Sequence, residues 1–162
     1  MTLRPALLPL AVLLAALPLH GCVASGAGGG PTADPAVLTS TDVFADYLRG
    51  NGIVVGPPSY SSTSSYLDLS TLNGSITSHL VRVGASGEES AIVIYPFVSP
   101  EAAEANIFGI AEDRAAPGIG GQRFVPRDKE VYQNGALVVV YYGRDASIRG
   151  TLRNALGPVK RR

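Results

Sequence analysis

Apolar and polar positions change rhythm several times along this chain, and each change marks an element. After an N-terminal apolar stretch and a Gly-rich run, Val43, Phe44, Tyr47 and Leu48 recur at helical spacing. Thr39 or Thr41 is placed to cap that helix, Asp42 suits its positive end, and Gly50-Asn51-Gly52 ends it. Ile53-Val54-Val55 reads as a short strand stopped by Gly56-Pro57-Pro58. The Ser/Thr-rich stretch 59–75 offers Tyr66, Leu67 and Leu69 for a short extended piece. Asn73-Gly74 is a turn signal, and that reading outweighs a glycosylation acceptor at Asn73-Gly74-Ser75.

Two hairpins follow. Ile76 to Val83 and Ala91 to Phe97 are strands linked by residues 84–89, and AIVIYPF is apolar on both faces, which makes it central. Ser99-Pro100-Glu101 is a helix start, with a cap, a proline at the first position and an acid in the first turn. The helix runs to about Asp113, with Ala103, Ile107, Ile110 and Ala111 toward the sheet. Residues 114–128 read as a loop. Lys129 to Tyr132, the turn Gln133-Asn134-Gly135 and Ala136 to Tyr142 form the second hairpin. Asp145 caps a last helix with Ile148, Leu152, Ala155 and Leu156 on one stripe, stopped by Gly157-Pro158. The order predicts an α+β fold: one antiparallel sheet of four or five strands, built from hairpins, with two or three helices packed on one face. Each half ends hairpin, apolar strand, capped helix, which reads either as an internal repeat or as a common local solution.

The first segment, MTLRPALLPLAVLLAALPLHGC, has the layout of a secretory signal. Arg4 gives a charged start, and Ala6 to Leu19 is an apolar run broken by Pro9 and Pro18, too short for a comfortable membrane span. Leu19-His20-Gly21-Cys22 resembles the lipobox of bacterial lipoproteins. That resemblance implies cleavage between Gly21 and Cys22 and acylation of Cys22, a palmitate-type anchor in membrane lipid. Two or three acyl chains anchor stably where one is marginal. His20 departs from the small residue usual at its position. The competing reading is an ordinary signal peptide with Cys22 as a bystander. A lone thiol directly after the apolar run and a glycine argues against it, because an unpaired cysteine is a liability in an oxidising compartment. Val23, where an Asp would be a retention signal in Gram-negative cells, implies the outer membrane there by the same resemblance.

The expected organisation is a signal peptide at 1–21, a lipidated Cys22 with a flexible tether through 37, a folded domain at 38–158 and a basic tail at 159–162. The tether VASGAGGGPTADPAV is too poor in large apolar residues to fold alone. Gly26 to Gly30 is not a phosphate loop, since no strand precedes it and no Lys-Ser/Thr pair follows. Formal net charge is zero, so no overall basic field calls for nucleic acid. Lys160-Arg161-Arg162 reads as a solvated tail, with a lipid-headgroup contact as the lesser reading.

IVIYPFVSPEAAEANIFGIAED and ALVVVYYGRDASIRGTLRNALGP together resemble a family of small exported bacterial proteins, many of them lipoproteins. In that family a strand ending in Tyr-Xaa-Phe meets an Ala/Glu-rich helix, and a strand ending Tyr-Xaa-Gly-Xaa-Asp meets a helix ending Leu-Gly-Pro. The resemblance covers most of residues 43–158, implies a lipid-anchored α+β domain, and transfers no activity.

Candidate chemistry is sparse. Cys22 is the only cysteine, so no disulfide can form within the chain, and without residues 1–21 His79 is the only histidine. No metal, cofactor or catalytic set is expected. His79, in phase with Val81 and Val83, reads as a partly buried, hydrogen-bonded residue, and as a general base only in second place. Gly84 to Glu88 lacks the spacing of a nucleophile elbow. Glu88 and Glu89 read as solvated, and Asp113-Arg114 and Arg127-Asp128 as surface pairs. If one sheet face is uncovered, Tyr60, Tyr66, Tyr95 and Tyr142 form an aromatic surface for a partner. The leading expectation is a membrane-anchored, non-catalytic binding or envelope-accessory domain with an envelope protein as partner. The alternatives are an envelope hydrolase using His79, which a buried His79 would sink, and an inhibitor or immunity-type lipoprotein. The latter would show an exposed apolar patch on the sheet or on loop 113–128.

Overall fold

The structure is a computed structural model that describes residues 38, 40–60, 67–114, 118–119, 122–124 and 128–162. Gly21, Cys22, the rest of the signal segment and the tether lie outside the described residues, as do Thr39 and Tyr66.

Helix α1 (Thr41–Gly50) is capped by Ser40, whose Oγ accepts from the Val43 amide at 3.3 Å. Thr41 is instead the first residue of the helix, and Ser40 just before it is the one whose side chain reaches that amide. Phe44, Ala45 and Leu48 form the buried stripe, and Val43 turns outward. Strands β1 (Ile53–Val55) and β2 (Ser59–Tyr60) both pair with β3 (Thr77–Val83). The extended piece anticipated at Leu67 to Leu69 is instead a 3-10 turn at Leu69–Thr71. Asp68 accepts from both the amide and the hydroxyl of Ser70, at 3.0 and 2.7 Å, and this local bonding competes with an extended backbone.

β3 and β4 (Ser90–Pro96) form the first hairpin; β7 (Lys129–Asn134) and β8 (Leu137–Tyr142) form the second, turning at Gly135 with φ 55°. β4 also pairs with β8, so the sheet runs β1-β3-β4-β8-β7, wholly antiparallel, with the apolar β4 in the middle as its pattern implies. Within 114–128, where a loop was expected, β5 (Gly118–Ile119) and β6 (Gln122–Arg123) make a small separate pair, and Ile119 is buried.

Alternation along the strands divides the core in two. Val81, Ile92, Ile94, Tyr132, Val139 and Tyr141 face α1 and α3 (Ala146–Leu156). Ala91, Val93, Val131, Val138, Val140 and Tyr142 face α2 (Pro100–Glu112). The architecture is therefore α+β, with two helices on one face and α2 on the other. A two-fold axis exchanging the antiparallel β4 and β8 would keep each helix on its own face, so the likeness of the two halves is a common local solution and not a symmetric repeat. Both sheet faces being covered, the expected tyrosine surface is not built on the sheet: Tyr142 is buried under α2, Tyr95 is partly buried on the same face, and Tyr60 is exposed on β2, while Tyr66 lies outside the described residues.

The ends of α2 and α3 follow the sequence signals. Ser99 Oγ accepts from the Ala102 amide, and Asp145 Oδ1 accepts from Ser147 and Ile148 amides at 2.8 and 3.0 Å. Tyr141 Oη braces the same corner, accepting from the Asp145 amide and donating to Ser90 Oγ, both at 3.1 Å. A side chain on Gly143 would collide with that Ser90–Tyr141 pair.

The basic tail is not simply solvated. The Val131 amide donates to the Arg161 carbonyl at 2.9 Å, and the Lys160 amide donates to the Val131 carbonyl at 2.8 Å. Residues 160–162 thus lie along the outer edge of β7 and cover backbone groups that an edge strand would otherwise leave open.

Candidate functional site

His79 stands on β3 opposite Ile92, 3% exposed. Its Nδ1 lies 3.0 Å from the Gly56 carbonyl. A carbonyl only accepts, so Nδ1 carries a proton, and Nε2 is the nitrogen that a base would have to present. That Nε2 is buried and has no hydrogen-bond partner. A base must present its lone pair to a substrate, and this one is sealed beneath the sheet face, so the hydrolase reading loses its only named residue. Among the described residues there is no cluster of His, Cys, Asp and Glu able to hold a metal ion. Of the features named for the immunity-type reading, both sheet faces are covered, and of the apolar residues described within loop 113–128, Ile119 is buried and Phe124 is partly buried.

Of the surface charges named from the sequence, Arg127 lies outside the described residues. Asp128 bonds to Arg144, with Nη2 and Nε at 2.9 and 3.0 Å from Oδ1. Glu88 is exposed, whereas half-buried Glu89 lies 3.9 Å from Arg82.

The charged residues that the fold does bring together are ones the sequence did not single out. Strand alternation sends neighbouring Lys129 and Glu130 to opposite faces of β7, and both are buried. Lys129 reaches the C-terminal end of α2, where Nζ donates to the carbonyls of Ile110, Ala111 and Asp113 at 3.1, 2.5 and 2.7 Å. Those are orphan carbonyls at the negative end of the helix, where a cation is favoured. Burial still pulls the ammonium below the usual lysine range, against the attraction of Asp113 and Glu112.

Glu130 points to the α3 face with a side chain 5% exposed. Its Oε2 accepts a 2.5 Å hydrogen bond from the Tyr132 hydroxyl, two residues along the same strand face. Burial first, then this bond and the nearby carboxylate, push the Tyr132 phenol well above the usual tyrosine range. Three guanidiniums surround the carboxylate: Arg149 at 3.5 Å, Arg162 at 3.7 Å and Arg153 at 4.0 Å. Arg149 and Arg153 are one helical turn apart on α3, which packs over β7. Arg162 comes from the docked tail, and on the alternate side of that tail Arg161 lies over the Phe108 ring of α2 at 5.7 Å. Between α3 and the tail is an open depression of about 450 Å³ lined by Arg153, Pro158, Val159, Lys160, Arg161 and Arg162.

A sequence signal for this cluster existed: Glu130 and Tyr132 share a strand face, and Arg149 and Arg153 share a helix face in the element that follows. It gave no hint that the two faces meet. Chemically, the arrangement is a cationic pocket rim around one buried acid. No family model, curated protein or solved structure matches this chain, so the chemistry of the cluster stands on its own geometry.

Proposed function

We propose that the chain is a bacterial lipoprotein, anchored through acylated Cys22, whose α+β domain is a non-catalytic binding or envelope-accessory module. The observation that carries this reading is the placement of the chain's one cysteine directly after an apolar run and Gly21, within Leu19-His20-Gly21-Cys22. The spacing downstream fits. Leu38, the first described residue, is buried. Fifteen residues, 23–37, separate it from Cys22, and a Gly-rich linker of that length spans about 20 Å, enough to hold a domain clear of headgroups. Among the described residues no helix is long and apolar enough to cross a membrane. The domain would face the periplasm or the exterior, on the outer membrane where the cell has one. The buried charges Lys129 and Glu130 are met by carbonyls and by arginines, an arrangement that suits binding better than proton transfer.

The test is intact mass and membrane fractionation of the natively expressed protein beside Cys22→Ala. Wild type should be membrane-bound, lack residues 1–21 and gain acyl mass, and the variant should do none of these. A soluble wild-type protein with a free thiol would overturn the reading.

A further inference from the structure

We propose that the depression between α3 and the docked tail is an anion site that takes a phosphate group, either free in solution or carried on a lipid headgroup. This deepens the binding-module reading and rests on the anchor only for the lipid source, not for the anion itself.

The first observation is an imbalance. The chain as a whole is neutral, with thirteen cationic and thirteen acidic side chains. Yet three guanidiniums, those of Arg149, Arg153 and Arg162, gather around a single carboxylate, that of Glu130, and Lys160 and Arg161 also line the depression. One acid cannot neutralise three guanidiniums.

The second observation is distance. Hydrogen-bonded arginine–carboxylate pairs close to about 2.7–2.9 Å. The three approaches to Glu130 are 3.5, 3.7 and 4.0 Å, and one carboxylate oxygen is already taken by Tyr132. Arg153 and Arg162 are also 48% and 73% exposed at the side chain, so their N–H groups have donor capacity that Glu130 does not use. The charge is held in place and open to solvent.

The third observation is preorganisation. The tail is pinned by two backbone hydrogen bonds to Val131 and by Arg161 over Phe108. A ligand therefore meets cations carried on a backbone that is already in place, which removes part of the ordering cost of binding. Guanidiniums arriving from a helix and from a neighbouring tail suit a tetrahedral oxyanion with several acceptors. A planar carboxylate, with two oxygens, would leave donors unused.

The test uses the full-length chain dispersed in a neutral detergent, titrated calorimetrically at constant ionic strength. One arm adds inorganic phosphate. The other adds short-chain phosphatidylglycerol, with short-chain phosphatidylcholine as its uncharged comparison. Saturable binding of phosphate alone assigns the site to a free phosphate compound, and binding of phosphatidylglycerol over phosphatidylcholine assigns it to a headgroup. Affinity should fall at least tenfold in Arg153→Gln/Arg162→Gln, which keeps side-chain bulk at two exposed positions, and should hold in Arg144→Ala, whose partner is Asp128. Circular dichroism confirms that each variant is folded. Cys22→Ala should bind the anion as wild type does while losing acyl mass, so a failed anchor and a failed anion site are read separately. The proposal is overturned if neither anion binds saturably, or if the double variant binds as tightly as wild type.

Discussion

Lys129 and Glu130 are neighbours in sequence, equally buried, opposite in charge, and solved in opposite ways. Lys129 ends among neutral dipoles: three carbonyls at the end of α2, all within 3.1 Å, fill the three donors of its ammonium. Glu130 ends among full charges: three arginines at 3.5 to 4.0 Å and one phenol. Dipoles can satisfy an ion's hydrogen bonds without bringing in further charge. Counter-ions in excess cannot, and the surplus remains at the surface. One site is closed and serves the fold; the other is open and has something left to offer a ligand.

The sharpest break in this comparison is Glu130→Ala. It strands the Tyr132 hydroxyl and leaves the arginines repelling one another, and removing one partner of a buried ion pair costs about 3–5 kcal/mol. Solvent at Arg153 and Arg162 softens that, so we expect a loss near the lower limit, about 3 kcal/mol, in urea unfolding. Glu130→Gln keeps an acceptor for Tyr132 and should lose about 1–2 kcal/mol. An alanine variant within 1 kcal/mol of wild type would mean that the carboxylate organises nothing.

Lys129→Met comes next. It keeps the stem and removes the ammonium, so three carbonyls lose their donor, but the desolvation that depresses the lysine is relieved as well. We expect a loss of about 2 kcal/mol with phosphate binding unchanged. A larger loss than Glu130→Ala would reverse the ranking of the two sites.

Alkaline titration separates the faces differently. Tyr132 on the Glu130 side and Tyr142 on the Lys129 side are both raised by burial. A tyrosine whose folded value lies above its unfolded value contributes stability that is complete below pH 10 and is lost as pH climbs from there. Lys129 has the opposite sign: its folded value is lowered, so between that value and 10.5 the unfolded chain holds more protons and stability rises with pH. Urea midpoints should therefore tilt upward on approaching pH 10 and fall beyond it, by about 1.4 kcal/mol per pH unit for each tyrosine that ionises only when unfolded. Lys129→Met should abolish the rise, and Tyr132→Phe and Tyr142→Phe should each shallow the fall. A flat profile above pH 10 would mean that these phenols ionise in the folded protein.

What was legible in the sequence was local. The Ser99-Pro100-Glu101 start, the Asp145 cap and the Ile148, Leu152, Ala155, Leu156 stripe depend on residues within a few positions of each other, and each stands where the pattern puts it. The second hairpin forms as well, but Gln133 and Asn134 pair within β7 and the chain turns at Gly135-Ala136. His79 was legible too, since period two set it beside Val81. The Glu130 cluster was not, because its partners lie 19 to 32 positions away on a helix and a tail whose docking no local signal announces. The tail misled for the same reason: Lys160-Arg161-Arg162 looks solvated by composition, and only the open edge of β7 gives its backbone a partner. At α1 a neighbour took the cap, Ser40 in place of Thr41.

The smallest effect tests the comparison most closely. Arg162 is the most exposed of the three arginines, at 3.7 Å from the carboxylate, and Arg149 and Arg153 already balance Glu130. If the positive charge is truly in excess, Arg162→Ala relieves repulsion about as much as it removes attraction. The net change in urea unfolding should then lie within about 0.5 kcal/mol of zero, the range of exposed ion pairs. Any difference should shrink as salt rises from 0.01 M to 0.15 M, because the screening length falls from about 30 Å to about 8 Å. The same substitution should weaken phosphate binding, an uncoupling that no variant of Lys129 should show. A loss above 1 kcal/mol that salt does not diminish would mean that Glu130 needs all three arginines. It would then be as closed as Lys129, with no charge to spare for a ligand.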